Sequence, residues 1–418
     1  MAQTDKTFIM IRMSTPVRPL VLAVFAAGVL CADRSFAAEG AAGGQQNRSR
    51  KFGPGECGPV DPTYIHLANE TGGQPFFLNP SEVGKAFHYV RESSGSRTET
   101  LLWTMGTFAG DSSQDFIVPV DSTVRRVTFA MSTETSGSDF ILTDPTGVVV
   151  AAADTRTEIT VLNCGRIITV DGPASGTWRL RASGVGRFWI TTQARTELSF
   201  VSAEFVRPGG RPGHEGLFRI HGQPIAGAKA ILRATVAREH VESASFDLVS
   251  QHGDEIGVRL KADTTYDDGE FVSTFDLPLQ PFRLRVTGVD GAGQRFQRVF
   301  HTLFPAETVE VMPAMSPIDD VAPGSSSAVA FAVRNVGAAS TFKIMAVDGR
   351  RMIARFEPST LALDAGAAAT VTVWINVPAD ATPGTGTDIT VTAVSESQPP
   401  TTNGATVHVG IRNLRIKN

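Results

Sequence analysis

The sequence predicts a mainly β fold built of tandem β-sandwiches, with one short N-terminal α/β segment. Three observations predict it. Apolar residues recur at every second position in many short stretches, the spacing that gives a strand one buried and one wet face. Val127, Phe129 and Met131 alternate with small or polar neighbours, as do Phe271, Phe275 and Leu277 on a later strand. Gly- and Pro-containing turns such as Asp144-Pro145-Thr146-Gly147 and Asp290-Gly291-Ala292-Gly293 separate these stretches. At 418 residues the chain also exceeds one domain. Short alternating strands at this spacing indicate sandwiches.

From the N-terminus, Lys6, Arg12 and Arg18 precede an uncharged apolar run from Leu20 to Ala32, and Ser35 and Ala37 put small residues before a cut at Ala38. That pattern reads as a secretory signal peptide over residues 1–37, too short to cross a bilayer core of about 30 Å; an uncleaved anchor is the other reading. Residues 38–56 have almost no apolar anchor and read as a flexible linker. After the leader, Cys57 and Cys164 remain of three cysteines. An even count in an exported chain points to one disulfide, with two buried thiols as the alternative.

Residues 57–97 form the α/β segment. Its helix opens at Pro80-Ser81-Glu82 and places Val83, Phe87 and Val90 on one face. Three sandwiches follow, at 98–201, 202–307 and 308–418. In the first, Trp178 and Leu180 alternate with Arg179 and Arg181, and Phe188 and Ile190 follow a short turn. In the second, Phe282, Leu284 and Val286 alternate with Arg283 and Arg285. In the third, Val371, Val373, Ile375 and Val377 alternate with Thr370, Thr372, Trp374 and Asn376. Trp103, Trp178 and Trp374 read as packing residues.

Charge and motifs narrow the function. Removing residues 1–37 takes away four basic and two acidic residues, leaving 34 against 40 and a net charge of −6. A mildly acidic chain without basic runs is not built to coat nucleic acid or anionic lipid. No HExxH, GxSxG, P-loop, dinucleotide or EF-hand pattern occurs. His214-Glu215 is the nearest approach to a catalytic pair, but neighbours on an extended chain point apart; Gly213 and Gly216 read as fixing a turn there. Asp267, Asp268 and Glu270 put three carboxylates in one loop, a candidate Ca²⁺ site or a solvated hairpin tip. Arg179, Arg181 and Arg187 are expected on the outer face of one hairpin with Trp189 nearby. Arginine forks and an aromatic plate of this kind grip sulfated or carboxylated sugars or protein loops. Asn47-Arg48-Ser49 and Asn69-Glu70-Thr71 fit the glycosylation sequon.

Several stretches carry a resemblance. Tyr64–Gln74 continuing through FFLNPSEV resembles the last strand and helix of a von Willebrand factor A domain. With CGPVDPTY, FIVPVDSTVRRVTF, DPTG, GTWRL, RPGHEGLFRI and LPLQPFRLRVTGVDGAG, the region from Cys57 to about Leu303 is similar to the one following that domain in hemicentin-like proteins. The Asp-x-Ser-x-Ser metal motif is missing, since Asp111-Ser112-Ser113 and Asp121-Ser122-Thr123 have the wrong spacing, and fewer than 20 residues of the processed chain precede Cys57. Metal-dependent adhesion is therefore not implied. Residues from about Thr308 to Arg412, with FAVRNVGAAS and FEPSTLALDAGAAATVTVWINVPADATPG, resemble a bacterial Ig-like module. The resemblance implies an extracellular scaffold or adhesive role for the Ig-like modules; the chain is expected to be secreted, periplasmic or at the cell surface, with a protein or cell-surface polysaccharide partner and no cofactor unless Ca²⁺ binds at the carboxylate loop. The expected function is non-catalytic binding or adhesion. The alternatives are a docking subunit of a secreted hydrolase system and an inhibitor of an exported protease.

Overall fold

The computed structural model describes residues 57–412 except 59, 96, 111, 153, 221, 238–240, 263–269, 306, 315–319 and 398–399. The expected signal peptide and linker lie outside the described residues. The chain divides into two compact units, the first running to Ser199 and taking back Gly288–Leu303, the second comprising Phe200–Thr287 and Phe304–Asn418.

In the first unit the segment expected to supply a strand is helical instead. α1 (Pro62–Thr71) starts where the Asp61 carboxylate accepts from the Thr63 amide at 2.8 Å, with Pro62 preset for a first helical turn. It stops at Gly72, whose φ of 72° is left-handed. An added Cβ there would stand 2.7 Å from the His301 carbonyl oxygen. Gly72→Ala is expected to cost about 1–3 kcal/mol, read as a lower urea midpoint. α2 (Val83–Ser93) forms as expected but turns a different face inward: Ala86, Tyr89 and Glu92 are buried while Phe87 is 57% exposed. Glu92 directs the choice, because its buried carboxylate meets Arg126 at 3.0 Å and Arg195 at 3.4 Å.

The strands of this unit are β1 (Thr98–Phe108), β2 (Ser113–Val120), β3 (Val124–Thr133), β4 (Asp139–Thr143), β5 (Thr157–Leu162), β6 (Gly165–Asp171), β7 (Gly176–Ser183) and β8 (Gly186–Thr196). They form antiparallel sheets in the orders β1-β8-β3-β6-β5 and β2-β7-β4. Phe129, Phe140, Trp178, Leu180, Phe188 and Ile190 fill the core between them. The larger sheet is buried on its other face as well. Phe77, Ile65, Trp103 and Trp189 pack together there, and Phe76 packs with Tyr89 of α2. The Trp103 indole donates to the Gly73 carbonyl at 3.0 Å, and Trp189 donates to the Asn69 side chain at 2.9 Å. Gln74, wholly buried, donates to Ser132 at 2.8 Å and accepts from Thr191 at 2.7 Å. Cys57 and Cys164 form a disulfide with Cα atoms 5.5 Å apart, tying the start of this helical layer to the β5–β6 turn.

Gly288–Leu303, read from sequence as part of a continuous second sandwich, belongs to this unit for a physical reason. Its strand Arg295–Val299 (β16, in chain order) buries Arg298 against Asp121, and Gln297 donates to the Leu101 carbonyl at 2.7 Å.

The second unit continues with β9 (Phe200–Gly209), β10 (Gly216–Arg219), β11 (Lys229–Val236), β12 (Val241–Ser250), β13 (Glu255–Ala262), β14 (Glu270–Asp276) and β15 (Phe282–Asp290), the last three residues of β15 counting with the first unit. Their order is β10-β9-β11-β14-β13-β12-β15. Aromatic contacts dominate this core, with Phe246 and Phe271 at 4.5 Å and Phe205 and Phe304 at 5.2 Å between ring centres. Arg283, expected on a wet face, is fully buried, and that burial pushes its pKa down. The face opens again at Arg285, which pairs with Asp247 at 2.6 Å and Glu255 at 2.5 Å.

The last strands are β17 (Val309–Pro313), β18 (Ser326–Asn335), β19 (Ser340–Asp348), β20 (Ile353–Glu357), β21 (Thr360–Leu363), β22 (Ala368–Asn376), β23 (Gly386–Ser395) and β24 (Thr402–Gly410). They make a sandwich of β17-β18-β22-β20 on β21-β19-β23-β24 around Phe331, Phe342, Val373 and Val391. The expected turn at Asn335-Val336-Gly337 is present. The Asn335 side chain donates to the Ala338 and Leu363 carbonyls at 2.8 and 3.0 Å. Trp374 departs from its expected packing role: alternation puts it on the outer face, where Arg355 stacks 3.7 Å from its ring.

Candidate binding face

The expected patch of Arg179, Arg181, Arg187 and Trp189 splits in two. β7 and β8 follow one another but lie in different sheets, so they are not a hairpin. Arg187 sits on β8, paired with Glu134 and 5.5 Å from the Trp189 ring centre. Trp189 is 0% exposed and forms no surface plate. The alternation read from β8 assumed one wet face, and the helical layer covers it.

Arg179 and Arg181 remain together on the outer face of β2-β7-β4. Trp178, Leu180 and Ala182 point into the core, so the residues between them point out. Asp115 and Ile141 flank Arg181 in register, and Ile117 and Thr143 flank Arg179. Arg181 donates to both Asp115 oxygens, at 2.8 and 3.0 Å, and Arg179 donates to one of them at 3.2 Å. The hydrogen bond from Arg181, before any other cause, lowers the Asp115 pKa to about 2. The carboxylate therefore stays ionised at neutral pH, and the two guanidiniums sharing it exceed it by one positive charge within this cluster. Both arginines are more than half exposed, and Ile117 (44% exposed) and Ile141 (36% exposed) lie beside them. The result is a flat surface with fixed cationic forks between two aliphatic edges. Sequence reasoning missed Asp115, Ile117 and Ile141, although alternation with Phe116 and Val118 places the first two outward and alternation with Phe140 and Leu142 places the third.

The other candidates lead elsewhere. Asp267 and Asp268 lie outside the described residues, and Glu270 starts β14 with its carboxylate 4.0 Å from Arg233. Among the described residues no group of three or more His, Cys, Asp or Glu side chains is placed to hold a metal ion. His214 and Glu215 are exposed in the β9–β10 turn, where Glu215 accepts from the Gly213 amide at 3.0 Å. No helix among the described residues is long and apolar enough to cross a membrane.

Two family models match the chain: the hemicentin galactose-binding domain-like family at residues 103–197 and the VWA7 Ig-like domain at residues 310–411. Mouse (Mus musculus) hemicentin-1 is 23% identical over 260 residues, covering 60% of this chain and 4% of that protein. Rat (Rattus norvegicus) von Willebrand factor A domain-containing protein 7 is 24% identical over 396 residues, covering 85% of this chain and 42% of that protein. The chain thus spans less than half the length of either relative. The solved structure of Bacillus licheniformis lipase BlEst2 in its propeptide form is similar at a TM-score of 0.24 and 12% identity, over 56% of this chain and 41% of that one. A likeness that low carries no argument. The C-terminal sandwich matches a VWA7 domain, so the family likeness extends through the part whose sequence resembles a bacterial Ig-like module. Through these two modules, in this order on one chain, the chain is similar to hemicentin and to von Willebrand factor A domain-containing protein 7.

Proposed function

We propose that this chain is an exported, non-catalytic binding scaffold whose galactose-binding-like sandwich captures a sulfated or carboxylated glycan on its β2-β7-β4 face. One observation carries the reading: Arg179 and Arg181 are held upright by one shared carboxylate on an exposed sheet face. Guanidinium forks match the planar oxygens of carboxylate and sulfate groups, and fixing them beforehand reduces the ordering cost of binding. Ile117 and Ile141 offer aliphatic surface to the apolar face of a sugar ring. The galactose-binding-like family match over these strands supports a carbohydrate ligand. The Cys57–Cys164 disulfide supports an oxidising, exported setting.

Replacing Arg179 and Arg181 together by glutamine tests this. Binding of a sulfated galactan is expected to weaken at least tenfold, about 1.4 kcal/mol, with the fold intact by circular dichroism. Wild-type binding should also weaken as salt is raised and stay level from about pH 5 to about pH 8, because Asp115 titrates far below that range. Unchanged affinity in the glutamine variant removes this face from the account.

A further inference from the structure

We propose a second binding site in the other unit, where the β9–β10 hairpin and the groove beside it receive an extended acidic segment of a partner protein. It goes beyond the glycan reading and stands on different residues. The hairpin carries Arg207, Arg211 and Arg219, all exposed, and among the described residues none of them forms an ion pair. The one carboxylate between Phe205 and Ile220 is Glu215, which accepts from the Gly213 amide. Phe218 sits opposite Arg207 in register and is 49% exposed. This hairpin therefore projects cations and one aromatic ring that no neighbouring group balances.

A groove of about 940 Å³ adjoins it, with Val206, Ile220, Ile231, Met312 and Pro313 among its apolar lining and Arg207 among its charged lining. Lys229 and Glu310 also face the groove, but Asp276 holds Lys229 at 3.1 Å and Arg334 holds Glu310 at 2.9 Å. Arg207 is left as its uncompensated charge. One wall is β17, the end strand of its sheet; its Val309 carbonyl already accepts from the Asn403 side chain at 2.9 Å, so a chain laid along it pairs beyond that residue. Apolar lining, a sheet edge and unbalanced arginines together match a strand with alternating apolar and acidic side chains. A polysaccharide would satisfy the arginines while leaving its hydroxyls against apolar walls, which disfavours it here.

The test uses the full chain and a fluorescein-labelled peptide of about ten residues alternating leucine and glutamate, followed by fluorescence anisotropy. The leucine–glutamate peptide should bind, and a leucine–lysine peptide should not. Binding should weaken at least tenfold in Arg207→Glu/Arg219→Glu and in Met312→Glu, and be unchanged in Arg179→Gln/Arg181→Gln. Arg207→Gln, which keeps the size of an exposed side chain, should weaken it by a smaller factor if the double variant does not fold. No binding of the acidic peptide, equal binding of both peptides, or indifference to the hairpin arginines would each overturn the proposal. So would heparin binding that depends on Arg207 and Arg219 but not on Met312. Because the sulfated galactan assay reads the other unit, failure here leaves the glycan reading standing, and the reverse holds too.

Discussion

Arg298→Met is expected to destabilise the first unit by about 3–5 kcal/mol, because it strands a carboxylate with no solvent around it. Arg298 and Asp121 are both 0% exposed and 2.8 Å apart. The guanidinium also donates to the Leu198 and Gln297 carbonyls at 3.1 and 2.8 Å and to Thr196 at 2.9 Å. Asp121 accepts in turn from Thr123, whose hydroxyl lies 2.6 Å from that of Thr196. Every member of this network is held by another, so removing one leaves unmet polar groups in a low-dielectric site. Asp121→Asn should cost a similar amount by stranding the cation. The double variant should cost clearly less than the two single changes added together, since no charge is then left buried. Tryptophan fluorescence during urea unfolding suits the measurement, because Trp103, Trp178 and Trp189 lie in this unit and Trp374 alone lies in the other. Additive single-variant costs would remove the coupling argued here.

Opening the disulfide should have the next largest effect. Cys57 and Cys164 are 107 residues apart, and closing a loop of that length restricts the unfolded chain by up to about 4.7 kcal/mol on the entropy model. The bond also anchors the segment that carries α1 and α2 over the larger sheet. The Cys57→Ala/Cys164→Ala variant, or the reduced protein, should unfold at lower urea and be cut sooner by protease between residues 58 and 95. An unchanged urea midpoint after complete reduction would contradict this.

Much of the fold was legible because strand alternation depends only on neighbours in sequence. The turns at Asp144 and Asn335 were legible for the same reason. Asp144 accepts from the Thr146 and Val148 amides at 2.9 Å each, a closure written into five consecutive residues. What could not be read was burial created at a distance. Trp189 and Arg283 alternate like residues on a wet face and become buried when other segments cover them. The α1 helix was marked by Asp61-Pro62 and Gly72-Gly73, signals overridden by a family likeness that implied a strand. Half of the binding patch failed for a related reason: consecutive strands β7 and β8 part into separate sheets, taking Arg187 away from Arg179 and Arg181. The carboxylate that orders those two arginines sits 64 residues before Arg179, and only sheet register brings it there.

Surface plasmon resonance of the immobilised wild-type chain against a sulfated galactan and its desulfated form, with chain-length analysis of the eluted glycan, tests the central claim most directly. The account predicts salt-sensitive binding of the sulfated form, at least tenfold weaker binding of the desulfated form, and glycan recovered at its original length. Equal binding of both forms, no binding of either, or shortened glycan in the eluate would contradict it.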